Sequence, residues 1–392
     1  MTDTSEVRAS SARPSDEMLP FLNNFHDIFT TIGVLILLAG LGAGAGQVMV
    51  GLGLDEGEQA WQNALMALIG GIGIFAWLLS ALLVGKQRRI LPGIVLSAVF
   101  GVATMVVLVW GYAQFLIHGV GISEGNFELA GEGAENMEFG RDAVMMVVSQ
   151  LPASIRVMPI VLGLAFLLPV TAYYVSYRLP FAGGLMGVGV VLTAVMTLLA
   201  IDPYTVIVWA PTLNVAAGGA LLLGGILFDA RDPGRETRLA GTAFWLHFFA
   251  APILLGAVLN LTQTGWTFQD SDFANPESLN LFAAMATDSA ESMRLAITAL
   301  TVIGLFALVS LLINRRALIV SGLVTAGVSI GVIVNASDLG AGAVVAVTLL
   351  VLGAVVVLLG AAWNPVRRIL LAPIPQAGPL GRIFPPVSAA EG

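Results

Sequence analysis

The chain has 392 residues, of which 57% are hydrophobic and 11% charged, with a mean hydropathy of +0.91. A soluble domain carries about a quarter charged residues, so the shortfall excludes a thick soluble core and points to lipid as solvent. The net charge of −8 sums an acidic side and a basic side and gives no reason to expect a nucleic-acid partner, while the absence of cysteine excludes disulfides, thiolate metal sites and cysteine nucleophiles.

The first residues, 1–15, are rich in Ser, Thr and Arg and read as a disordered tail. No basic segment leads directly into a short apolar core, so a cleaved signal peptide is not expected. Pro14 to Asp27 reads as a short interfacial helix. Ser15 would cap it, with Met18, Leu19, Phe21, Leu22 and Phe25 toward lipid.

About ten apolar stretches follow, at 28–53, 61–84, 91–118, 157–177, 179–201, 204–228, 240–262, 293–313, 317–335 and 343–363. Each is long enough to cross a bilayer. Backbone polar groups in lipid must be bonded internally, and these runs lack the alternation of barrel strands, so helices are expected. The predicted fold class is therefore all-α, a polytopic transmembrane bundle. Its parts are a cytoplasmic tail and interfacial helix over 1–27, a membrane domain over 28–363 and a cytoplasmic tail over 364–392.

The basic residues fall into every second gap. Arg8 and Arg13 precede the first span; Lys86, Arg88 and Arg89 follow the second; Arg178 follows the fourth. Arg231, Arg235 and Arg238 follow the sixth, Arg315 and Arg316 the eighth, and Arg367, Arg368 and Arg382 the tenth. Only Arg141, Arg156 and Arg294 lie opposite. Short loops rich in Lys and Arg mark the cytoplasmic face, so both termini are expected there. Leu179-Pro180 and Asp202-Pro203 predict tight turns between spans, because Pro favours a boundary at the residue before it.

Two long loops on the other side are acidic. Residues 119–141 carry Glu124, Glu128, Glu132, Glu135 and Glu138. Residues 263–292 carry Asp270, Asp272, Glu277, Asp288 and Glu291, with a helix start at Asn275-Pro276. Asp142 to Gln150 reads as a short amphipathic piece. These loops read either as an acidic outer vestibule that concentrates cations or as solvated surface, acidic because Lys and Arg are kept on the other face. In the C-terminal tail, Trp363 marks the interface and Val366 to Leu371 would continue as an interfacial helix.

Ionisable groups deep in a span are expensive and usually functional, and no Asp, Glu, Lys or Arg falls near the middle of a predicted span. His247 is the titratable side chain clearly inside one, in Phe244-Trp245-Leu246-His247-Phe248-Phe249. It reads either as a ligand-contacting or proton-handling group or as a neutral histidine bonded to a neighbouring helix. Pro211 and Asn214 fall near the middle of the sixth stretch, where Pro211 would kink the helix and Asn214 could bond across helices. In the first span, Gly40, Gly42, Gly44 and Gly46 run into Gln47. Interrupted first and sixth spans occupy matching places in a five-plus-five division, as in inverted-repeat carriers; close helix packing accounts for the same glycines.

No P-loop, H-E-x-x-H or G-x-S-x-G pattern is present. The three histidines, His26, His118 and His247, are widely spaced. No catalytic residue, cofactor or metal is therefore expected. Asp232-Pro233-x-Arg235-x-Thr237-Arg238, followed by Ala243-Phe244-Trp245-Leu246-His247 and Ala250-Ala251-Pro252, resembles a segment of uncharacterised bacterial multi-span inner-membrane proteins. Such proteins often carry a second His after the Ala-Ala-Pro; here Ile253 to Gly256 has none. The resemblance implies a bacterial inner membrane and lends no activity. The expected function is a non-enzymatic role in the membrane or envelope, with the bilayer as partner. The alternative is a permease for a small neutral solute, with His247, Asn214, Pro211 and Gln47 near its pathway.

Overall fold

A computed structural model describes residues 25–53, 57–123, 125, 137, 140–235, 237–268, 289–335, 341–375 and 378–385. Among these no strand occurs. The helices are α1 (Phe25–Gly51), α2 (Glu58–Ser80), α3 (Leu91–Gln114), α4 (Arg141–Gln150), α5 (Ala153–Arg156), α6 (Met158–Tyr177), α7 (Pro180–Ile201) and α8 (Pro203–Val208). They continue as α9 (Ala210–Arg231), α10 (Arg238–Thr264), α11 (Ser289–Ile313), α12 (Ala317–Asn335), α13 (Ala341–Ala361), α14 (Trp363–Leu371) and α15 (Pro379–Ile383). Wider π turns, Ala81–Lys86 and Phe115–Val120, extend α2 and α3.

Nine of the ten apolar stretches each coincide with one helix, and the sixth is divided between α8 and α9. Eight helices are long and apolar enough to cross a bilayer by length and composition, and a ninth crossing arises if α13 and α14 form one path bent by 60°. The turns at Leu179-Pro180 and Asp202-Pro203 form where the prolines require them, each proline opening a helix whose first turn needs no donor. The amphipathic piece at 142–150 is α4. The 366–371 segment belongs to α14, which begins earlier, at Trp363. Most of the interfacial helix expected over 14–27, most of the 119–141 loop and the Asn275 helix start lie outside the described residues. Phe25 to Asp27 are already part of α1.

One expectation is corrected. Pro211 and Asn214 do not sit mid-helix. The sixth stretch breaks at Trp209, and Pro211 falls in the first turn of α9. There its missing N–H belongs to the set no helix satisfies internally, so the break replaces the kink.

Cross-helix contacts gather the basic turns at one end. Asp27 in α1 binds Arg89 at 2.9 Å and accepts from the backbone N–H of Ile90. Tyr173 of α6 donates to Ser80 Oγ at 2.8 Å, and Tyr177 donates to the Trp77 carbonyl at 2.7 Å. Arg235, between α9 and α10, donates to the carbonyls of Ile313 and Asn314, and Trp363 Nε1 donates to Asn314 Oδ1. We call this the basic end. At the opposite, acidic end, Arg141 binds Asp202 at 2.6 Å, Thr212 donates to the Trp266 carbonyl and Phe268 N–H to the Val208 carbonyl.

Between the ends the contacts of α10 with α7, α9 and α11 are apolar. Leu221, Leu246 and Ala250 pack with Val188, Val191, Leu222, Phe249 and Ile253. Leu255, Leu259, Leu295, Ala299 and Val302 fill the contact of α10 with α11.

Candidate functional site

The turn between α9 and α10 builds the site. Asp232 accepts from the Thr237 backbone N–H at 2.9 Å and from its hydroxyl at 2.5 Å. Thr237 in turn caps α10 through Leu239 N–H. Arg235 closes the turn in the left-handed region, φ 54°. The Asp-Pro-x-Arg-x-Thr-Arg segment is thus a hydrogen-bonded corner that fixes how α10 returns along α9.

That corner aligns Asp229, near the end of α9, with His247, on α10. His247 Nε2 lies 3.1 Å from Asp229 Oδ2. Arg315, from the α11–α12 turn, donates its Nε to the same oxygen at 2.9 Å and its Nη2 to Oδ1. This is the two-pronged guanidinium–carboxylate geometry. Arg315 Nη2 also donates to the Ala240 carbonyl at 3.2 Å, and Ser310 Oγ donates to the Arg315 carbonyl. Side-chain exposures are 0% for His247, 3% for Arg315 and 13% for Asp229.

The imidazole reaches this position because Gly225 has no side chain. A Cβ there would stand 2.7 Å from His247 Cε1 and 2.9 Å from Nδ1. Nδ1 has no hydrogen-bond partner among the described residues. The Nε2–H therefore points at the carboxylate, while Nδ1 faces the glycine. Removing one partner from such a buried pair destabilises by about 3–5 kcal/mol, because the other charge is stranded.

A second polar layer surrounds the α11–α12 turn. Arg367, fully buried, donates Nε to the Leu311 carbonyl at 2.7 Å and Nη2 to the Pro385 carbonyl at 2.6 Å. With Arg235 on Ile313 and Asn314, two arginines from distant segments satisfy the last carbonyls of α11, where the helix dipole favours cations.

Of the four residues read from the sequence, the structure brings only His247 into this centre. Asn214 is exposed near the start of α9, 15 residues from Asp229, which is about 22 Å along a helix. Pro211 is buried there. Gln47 is exposed close to the end of α1. Asp229 and Arg315 were missed because each adjoins the end of an apolar run and counts as a loop charge. The available signal was an acid on the basic side: Asp27 and Asp229 both lie there and both bind arginine.

At the acidic end, the Asp202 carboxyl is held below the usual carboxylate range. The Thr205 hydroxyl and backbone N–H contribute most, and Arg141 adds to them. Among the described residues no three His, Asp or Glu side chains converge as a metal set. No protein-family model, curated protein or solved structure matches the chain.

Proposed function

We propose that the chain is a ten-span protein of a bacterial inner membrane, with both termini cytoplasmic, that acts as a non-enzymatic membrane or envelope component. The orientation rests on the basic end, since Lys and Arg in short loops are retained on the cytoplasmic side. One observation carries the functional reading: the middle of the bundle, around Leu221, Leu246, Ala250 and Leu255, is filled with apolar side chains. A solute pathway at the midplane needs polar lining and water. Of the residues offered for it, Asn214, Pro211 and Gln47 lie toward the acidic end, and His247, beside this apolar layer, is closed off in the centre with Asp229 and Arg315. The Asp229–His247–Arg315 centre then acts as an internal tie between α9, α10 and the α11–α12 turn.

The absence of cysteine makes the test direct. Ala250→Cys places a thiol in the packed middle, Gln87→Cys one at the basic end and Trp266→Cys one at the acidic end. A membrane-impermeant thiol reagent is applied to intact cells and to inverted vesicles. The expected pattern is Trp266→Cys labelled only in cells, Gln87→Cys only in inverted vesicles, and Ala250→Cys in neither. Labelling of Ala250→Cys at a rate near either control would overturn the reading in favour of a carrier.

A further inference from the structure

At the basic end, α12 and α13 enclose a groove of about 190 Å³ lined by Arg316, Ile319, Val320, Leu323, Val356, Gly360 and Trp363. The helices touch farther along. A Cβ on Gly327 would meet Leu352 Cδ2 at 3.3 Å, and one on Gly331 would meet Thr348 Oγ1 at 3.7 Å. The groove occupies the remaining length toward the α11–α12 turn, where Trp363 begins the bend into α14. Its walls are aliphatic and its one charged residue, Arg316, stands at the basic end. The Arg316 guanidinium lies over the Trp363 ring, 5.0 Å from the centroid.

We infer that this groove binds one anionic phospholipid, with an acyl segment between α12 and α13 and its phosphate on Arg316. Three observations fix the occupant. The volume is below the ~300–1,000 Å³ of pockets that enclose a whole small ligand, so it suits a length of acyl chain. Stacking on Trp363 engages the face of the guanidinium, and its N–H donors lie in its plane, the geometry that grips phosphate. The charge at this face is basic: Arg315 is neutralised by Asp229 and Arg367 is turned inward onto carbonyls, while Arg316 at the start of α12 is joined by the exposed Arg368 on α14. Basic sites between membrane helices at the interface favour anionic headgroups. The larger groove between α2 and α3, about 440 Å³, offers a contrast. Its lining of Ile69, Ile72, Ala98, Val99, Val102, Ala103 and Val106 has nothing to select a headgroup.

The inference needs only that α12 to α14 sit in a bilayer; it holds whichever compartment faces the basic end, so the thiol-labelling result does not decide it. The delipidated full-length chain is given phosphatidylglycerol or phosphatidylcholine with the same acyl chains, and retained lipid is read by native mass spectrometry. One phosphatidylglycerol is expected to be held in preference. Arg316→Gln lowers that preference by about fivefold, the effect of one interfacial basic residue. Leu323→Trp, which fills the groove, lowers retention of both lipids, and Val356→Trp does the same from the opposite helix. Equal retention of the two lipids by the unaltered chain would overturn the assignment. So would an unchanged preference in Arg316→Gln, or unchanged retention in both tryptophan variants.

Discussion

The two ends of the bundle terminate their helices by different means. At the acidic end the left-handed residues after α1, after the π turn of α3 and after α10 are Gly53, Gly121 and Gly265. At the basic end the left-handed residues after α2, α6, α9 and α11 are Arg88, Arg178, Arg235 and Asn314. Glycine takes this conformation freely, whereas a side chain there carries strain of about 1–3 kcal/mol. The basic end accepts that strain and supplies cations where helix carbonyls are unsatisfied. Its other polar groups show the same preference for charge over backbone ease. Asp27 and Asp229 are buried acids held by arginines, while the acidic end has an exposed clamp, Arg141 on Asp202.

The sharpest way to break this comparison is Asp229→Asn. It strands Arg315 and is expected to lower stability by about 3–5 kcal/mol, read as a reduced thermal midpoint of the purified chain. Replacing Asp229 and Arg315 together with leucines is expected to do far less harm, because no charge is left behind. Next comes Gly225→Ala, where the added methyl overpacks against the imidazole for about 1–3 kcal/mol. In a double-mutant cycle His247→Ala should recover part of that loss, and strict additivity would show that the glycine is not needed for the close approach. Asp27→Asn should cost about 1 kcal/mol or less. Its partner Arg89 is 26% exposed and can turn toward water, as surface pairs do.

Smaller effects refine the contrast. Arg178→Gly relieves a positive φ at an exposed position, but glycine also frees the unfolded chain, so stability should stay unchanged or rise by less than about 1 kcal/mol; a marked fall in the thermal midpoint would mean that the side chain, not the conformation, matters there. The acidic-end clamp should be acid-sensitive. The folded carboxyl of Asp202 lies below its unfolded value, so its contribution is complete above about pH 4 and is lost as pH falls through the lowered folded value. Protection of the amides over 204–208, corrected for the intrinsic pH dependence of exchange, should fall only below that range, and Asp202→Asn should abolish the change.

Much of the architecture was legible because lipid imposes a simple rule. Apolar runs of sufficient length must be helices, and Pro180 and Pro203 open two of them where their fixed geometry requires. His247 was legible as an unusual residue within an apolar run. Its partners were not. Asp229 and Arg315 are 86 residues apart and each borders a span, so hydropathy treats both as solvent-facing. Pro211 misled because a mid-run proline fits either a kink or a break, and only the short α8 decides between them. The contact between the buried Ser80 and Tyr173 hydroxyls was hidden for the same reason as the ion pair: nothing local in sequence reports a contact between α2 and α6.

The buried Arg367 carries a consequence for biosynthesis. The carbonyl of Leu311 is satisfied by a side chain 56 residues downstream, and Trp363 reaches back to Asn314 across 49. The α11–α12 turn is therefore synthesised before either partner. Its hydrogen bonding is completed only once α14 has been made, so a nascent chain halted before α14 has an unfinished helix end.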